Sequence, residues 1–275
     1  MRASFAVLAC ASVLNTFAAE AKELLLDNLM ASIVIIPERR SDFSFEMHPG
    51  RRNAPEVKVI RTGNRVVLTS DTEVTSCSEV NGDMFVGLSD GRSLEMVDAP
   101  LVTVRAPQTF YLRGRHSAVV GQIGRTENLD IRQGGCAIWD IDDVEGTLRA
   151  DMSGGARATI GTARDARLTA SGGGAVATEG VENLVAEASG GGRIRVSSVS
   201  SQARAEASGG GRIEVEGGHG QTLRANASGG GWIAYDGEVA SLSASASGGG
   251  QVAVAAAQEV VSRSESGGGR VIVAD

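Results

Sequence analysis

The sequence predicts an all-β protein: a parallel β-helix of about nine coils, each 18–20 residues long, behind a small N-terminal antiparallel β cap. Three observations carry this. A Ser-Gly-Gly-Gly motif recurs at Ser171, Ser189, Ser208, Ser228, Ser247 and Ser266, with a near copy, Ser-Gly-Gly-Ala, at Ser153, at intervals of 18, 18, 19, 20, 19 and 19 residues. Apolar and polar residues alternate on both sides of each motif. Of 37 glycines, 11 fall in residues 1–150 and 26 in residues 151–275, a stretch with no proline. A flexible linker would be glycine-rich too, but it would not carry regularly spaced Ile, Val and Leu.

The chain opens with Arg2, an apolar alanine-rich stretch to Leu14 and small residues around Ala18, the three-part form of a secretory signal. Cleavage is expected after Ala18, with Ala19-Glu20-Ala21 a second acceptable site. Cys10 follows too few apolar residues to mark a lipoprotein box. No other segment is long and apolar enough to span a bilayer as a helix. The expected location is therefore the periplasm, or the surface or surroundings, of a Gram-negative cell.

Residues 19–100 are expected to form the cap. Alternating runs at 32–36, 42–47, 56–61 and 65–69 are separated by Pro, Gly and Asn, and residues 83–87 and 92–97 flank a turn at Leu88-Ser89-Asp90-Gly91. Gly87-Leu88-Ser89-Asp90-Gly91 matches the hydrolase G-x-S-x-G pattern, but the next residues look like a strand, whereas a nucleophile elbow leads into a helix. The cap is placed to cover the first coil near Val102 to Leu112.

Residues 101–275 form the helix. After each glycine group comes a short strand, as in Arg193-Ile194-Arg195-Val196 or Trp232-Ile233-Ala234-Tyr235. Before each serine comes another with small inward residues, as in Leu223-x-Ala225-x-Ala227. A sharp corner repeated in every coil needs positive φ and no stacked Cβ atoms, which assigns the corner role to Gly172, Gly191, Gly210, Gly230, Gly249 and Gly268. The glycines do not form a phosphate loop, since no Lys-Ser or Lys-Thr follows and no helix begins there. They also lack the aspartate of calcium-binding nonapeptide repeats. No cofactor or metal is predicted.

The residues with chemical character are few. Lys plus Arg total 26 against 33 Asp plus Glu, a net charge of -7 without a basic tail, which disfavours nucleic acid. Aromatic content of 4% argues against a large aromatic-lined cofactor pocket. His48, His116 and His219 share no ligand spacing. Cys77 and Cys136 would meet an oxidising space after export, leaving two readings open, a disulfide or two separately buried thiols. Asp140 and Asp142, in Trp139-Asp140-Ile141-Asp142-Asp143, share one face of a strand and are the fallback pair for glycan-cleaving chemistry. The first outward position after each corner is read as Ala156, Ala175, Arg193, Arg212, Trp232, Gln251 and Arg270. Arg193, Arg212, Trp232 and Arg270 make this a ladder for an anionic glycan or envelope polymer. The final coil, with Arg263 and Glu265 in alanine columns, leaves an edge through which copies could self-associate.

The recurring x-L-x-A-x-A-S-G-G-G-x-I-x-V unit, with Leu-Val-Thr-Val-Arg-Ala-Pro at 101–107, resembles the head GIN domain family of auto-transporter adhesins over roughly residues 24–275. The resemblance implies a signal peptide, a small N-terminal β segment and a right-handed single-stranded β-helix, and it brings no catalytic motif. No tandem amphipathic strands able to build a membrane barrel are read in the sequence. The expected function is a non-enzymatic envelope or surface module that displays side-chain columns to a partner, and the competing reading is a carbohydrate-active enzyme.

Overall fold

Alternation of inward aliphatic and outward polar residues gives a strand one buried face, and a chain that winds such strands must stack them. The computed structural model describes residues 22–80 and 83–274 of the chain, so the expected signal segment, Cys10 and the cleavage site after Ala18 lie outside the described residues. The strands in chain order are β1 (Lys22–Asp27), β2 (Met30–Glu38), β3 (Ser44–His48), β4 (Val57–Thr62), β5 (Arg65–Ser70), β6 (Val74–Val80), β7 (Asp83–Leu88), β8 (Ser93–Glu95), β9 (Leu101–Pro107), β10 (Thr109–Arg115) and β11 (Ala118–Ile123). They continue as β12 (Asn128–Gln133), β13 (Cys136–Ile141), β14 (Val144–Gly154), β15 (Arg157–Gly172), β16 (Ala175–Ala188), β17 (Arg193–Ala207), β18 (Arg212–Val215), β19 (His219–Ser228), β20 (Trp232–Ser247), β21 (Gln251–Ser266) and β22 (Arg270–Val273). The result is an all-β solenoid of about nine turns with a small antiparallel sheet.

Each turn has two faces. Face A holds the strands that follow the glycines, with Arg193, Arg212, Trp232, Gln251 and Arg270 in register. Face B holds those that precede the serines, with Ala186, Ala205, Ala225 and Ala244 in register. Between them lies a core of aliphatic columns such as Ile194, Ile213 and Ile233 from face A, closed towards the glycine corner by face-B alanines. The small inward residues of face B let the two faces meet at that corner.

The corner itself corrects the glycine assignment. In Ser208-Gly209-Gly210-Gly211 the left-handed residue is the first glycine, Gly209 at φ 62°, and its equivalents are Gly172, Gly190, Gly229, Gly248 and Gly267. Gly191, Gly210 and Gly230 are not left-handed; they are glycine because a Cβ there would sit 2.6–2.7 Å from the carbonyl oxygen of the coil before. Gly249 and Gly268 are left-handed as well, at 88° and 85°. The third glycine is the most confined, a Cβ at Gly211 falling 2.3 Å from the Ala188 oxygen. Ser208 closes the turn by accepting the Gly211 N–H at 2.9 Å. Three glycines thus answer three separate constraints.

The parallel stack also takes in residues 22–38, ahead of Leu101. On face B, β1 lies between β5 and β10, and on face A, β2 lies between β9 and β11, all parallel. The first strands of the described chain therefore form an interior rung. Beyond it, β4 pairs antiparallel with β5, and β3 antiparallel with β9, closing the N-terminal end. The three-stranded antiparallel sheet β6–β7–β8 packs Val86, Leu88 and Leu94, together with Met96 in the 3-10 turn Met96–Asp98 just after β8, against Met30 and Ala118. The Gly87–Gly91 segment turns from β7 into β8, so it lacks the strand-to-helix geometry of a nucleophile elbow.

Cys77 on β6 is bonded to Cys136 on β13, with Cα atoms 6.4 Å apart, and Arg157 meets Glu79 at 2.8 Å beside it. Together they tie the small sheet to the solenoid. A chain starting at Ala19 is expected to show no titratable thiol after denaturation without reductant; two would refute the link.

At the far end, Arg263 and Glu265 stand in register with Ala244 and Ala246, in inward columns. They pair at 2.8 Å, and Glu265 accepts the Val271 N–H at 2.8 Å. That backbone bond, with Arg263 second, holds the Glu265 carboxyl below its ordinary value. A depressed carboxylate contributes stability above its unfolded value, about 4.3, and loses it as pH falls through the folded one. Arg263→Ala with Glu265→Ala should therefore make light-scattering mass depend on concentration at neutral pH, whereas the parent chain should do so only once the pH falls below the ordinary carboxylate range. Equal masses for both chains at every pH and concentration would remove the capping role.

Candidate functional site

The face-A ladder is fixed by rung register, which aligns Arg157, Ala175, Arg193, Arg212, Trp232, Gln251 and Arg270 at about 4.8 Å per step. Ala156 does not belong to it. It occupies the third-glycine position, points inward and is fully buried, and Arg157 takes its place in the column. Within the ladder the Arg212 guanidinium lies 3.9 Å from the Trp232 ring centroid, covering one face of a half-buried indole. Arg212 also donates through Nε and Nη2 to Glu214 Oε1, at 3.1 and 2.8 Å. Arg195 reaches the other Glu214 oxygen at 2.9 Å and Glu216 at 3.3 Å. Burial alone would raise the Glu214 carboxyl; the bonds from Arg195 and Arg212 outweigh it and hold it low. Arg193 and Arg270 have no ion pair among the described residues. The strip therefore offers Arg193, without an ion pair, beside a stacked Arg–Trp pair, and Arg270, which lies in the field of Glu265, beyond Gln251.

Asp140 of β13 and Asp142, just beyond its end, both project outward and line one open groove of about 730 Å³, with Gln122, Arg125, Glu127 and Glu145. Their neighbour Asp143 holds two coils together. It accepts Thr162 N–H and Oγ1–H at 2.9 and 2.8 Å and meets Arg125 at 2.9 Å, and the backbone bond from Thr162 lowers its carboxyl most. Trp139 on the same strand points inward, fully buried, where Gly121 on the adjacent rung makes room for its ring. Among the described residues, no group of three or more His, Cys, Asp or Glu is placed to hold a metal. No helix among them is long and apolar enough to cross a membrane.

A third concavity was not legible in the sequence. On face B, Arg65, Arg113, Arg115 and Arg132 converge from β5, β10 and β12 around Leu25 of β1. These arginines are scattered along the chain, and only the order of the rungs joins them.

No curated protein matches the chain. The crystal structure of a "putative cell adhesion protein" from Clostridium sporogenes is similar to it, covering 90% of this chain and 93% of its own at 11% identity and a TM-score of 0.22. The family model described as "Putative auto-transporter adhesin, head GIN domain" matches residues 60–218 and 166–274, so that most of the solenoid is accounted for. On that match, the chain belongs to the head GIN domain family of auto-transporter adhesins.

Proposed function

We propose that the protein is an exported, non-enzymatic adhesin-like module of the cell envelope or surface, in the periplasm or outside a Gram-negative cell, that presents a rigid face to an anionic glycan or envelope polymer. Membership of an adhesin family supports the class. The observation that carries the ligand is the alignment of Arg193, Arg212 and Trp232 on consecutive rungs, with Arg270 farther along the same column. A polyanion laid along the solenoid would meet guanidinium donors at the spacing of the coils, and the indole edge between them. Substituting Arg193, Arg212 and Trp232 together by Ala is expected to abolish retention on an anionic polysaccharide without shifting the melt. Retention that survives the triple change would leave the ladder as ordinary surface. Self-association through the C-terminal rung would use β22, where Ile272 is 49% exposed at an edge strand, and at neutral pH the Arg263–Glu265 pair over the face-B half holds it off.

One observation favours a second reading, a polysaccharide-cleaving enzyme: Asp140 and Asp142 line the same groove. Turnover of an envelope polysaccharide that is lost in both Asp140→Asn and Asp142→Asn would establish it in place of the first.

A further inference from the structure

We propose that the concavity on face B beside the β4–β5 hairpin is a second binding site, taking a neutral, polyhydroxylated saccharide. It rests on reading the protein as a binding module, but not on the face-A ladder. The hollow is formed where the interior rung β1 meets its neighbours. Two adjoining spaces of about 480 and 670 Å³ share Glu23, Leu25, Arg65, Arg113 and Arg115. Arg113 and Arg132 stand directly above one another on consecutive rungs, and the missing side chain of inward Gly114 leaves room for the buried Gln133 beneath them.

The arginines are held in place from behind. Asp130, its side chain only 6% exposed, accepts Arg113 through both oxygens at 2.8 and 3.3 Å and lies 3.4 Å from Arg132, which is 3.3 Å from Asp151. Arg115 donates to both oxygens of Asp27 at 3.0 and 2.9 Å, and Arg65 donates to Glu23 at 2.6 Å. Planar donor forks fixed by carboxylates lose little freedom when a ligand arrives, the usual condition for specific polar recognition.

The charge balance selects the ligand. With Arg149, which also donates to Asp151 at 3.1 Å, five guanidiniums stand among four carboxylates and all five are already ion-paired, so a phosphate, sulfate or uronate would meet Glu23, Asp27 and Asp151 as well as the arginines. A sugar hydroxyl both donates and accepts, and can use both partners at once. The apolar face of a pyranose has its contact in the Tyr111 ring, which is partly exposed and 5.4 Å from the Arg113 guanidinium, while Leu25 lies buried beneath the arginines. The next coils do not repeat the cluster: the rungs after Arg132 carry Asp151, Thr169, Glu187 and Glu206 in that column. This is one place on the solenoid, built where the interior rung enters.

The experiment uses the chain from Ala19 onward. Saturation-transfer NMR and calorimetric titration are run with neutral cello-, chito-, malto- and manno-oligosaccharides, and with oligogalacturonate as the charged comparator. At least one neutral series is expected to bind, and Tyr111→Ala and Arg115→Ala, each with an unchanged melt, should weaken it tenfold or more. The face-A triple variant should bind it normally. No neutral binding, or binding that survives both substitutions, overturns the site. Tighter binding of oligogalacturonate that Arg115→Ala abolishes overturns the neutral ligand class. Loss of polyanion retention in the face-A triple variant, with no neutral binding anywhere, would sink this site and leave the ladder standing; the opposite pattern would leave this site alone.

Discussion

Gly211→Ala is expected to lower stability by about 3 kcal/mol, near the upper end for overpacking, and the thermal midpoint by about 6–12 °C in a chain of this size. The added methyl would fall 2.3 Å from the Ala188 oxygen and 2.5 Å from its carbon. That oxygen accepts the Ser208 N–H at 2.9 Å, so relief of the clash must loosen the bond joining one coil to the next. Both sides of the contact are backbone, and no rotamer can absorb it. Gly63→Ala is the matched control: it is left-handed at φ 57°, with nothing within 4 Å of where the added methyl would stand, and should cost about 1–2 kcal/mol. A loss at Gly211 no larger than that at Gly63 would show that the coil-to-coil contact does not govern this position.

Ile213→Ala should cost about 2–5 kcal/mol by chemical denaturation, and Glu214→Ala less than about 1 kcal/mol. Ile213 is fully buried between Ile194 and Ile233 on the neighbouring rungs, and truncation leaves a void that coils held by backbone bonds on both sides cannot close. Glu214 has two arginine partners, but both are largely exposed and the pairing is screened by water. Similar losses for both substitutions would invert the assigned strand phase.

The repeat was legible because each coil restates the same constraints, so that serine spacing and alternation identify the fold before any single residue is placed. The detail inside a corner was not. Three adjacent glycines look alike in sequence, although Gly209 answers a dihedral, Gly210 a close carbonyl and Gly211 a buried contact. The same ambiguity moved the start of the ladder to Ala156, one residue before Arg157. At the N-terminus, alternation in 32–36 or 65–69 reads identically for parallel and antiparallel pairing, because both have period two. Leu24-Leu25-Leu26 hides alternation altogether, since Leu25 is covered on the outside of its rung. The face-B arginines share no local motif, and their convergence depends on a rung order that no short-range pattern encodes. The ladder residues Arg193, Arg212 and Trp232 were legible as a column, but the stacking of Arg212 on Trp232 and its pairing with Glu214 emerge only in the folded chain.

The interior position of β1 and β2 has a consequence for the order in which a growing polypeptide can acquire its shape. Coils from Ser153 onward need only the coil already made, a closure of some 19 residues that can follow translation step by step. Asp27, by contrast, must wait for Arg115, 88 residues later, before its rung is sandwiched. By the logarithmic cost of closing a loop, that wait is about 1.4 kcal/mol more expensive than a single coil. The β1–β2 segment, made before the coils that enclose it, is therefore among the later ones to be fully enclosed. The two termini are unequal in the same way. Trimming the last coil shortens the rod, whereas trimming residues 22–38 leaves its length spanned by β9 and β11 with nothing between them, a missing plank rather than a shorter ladder.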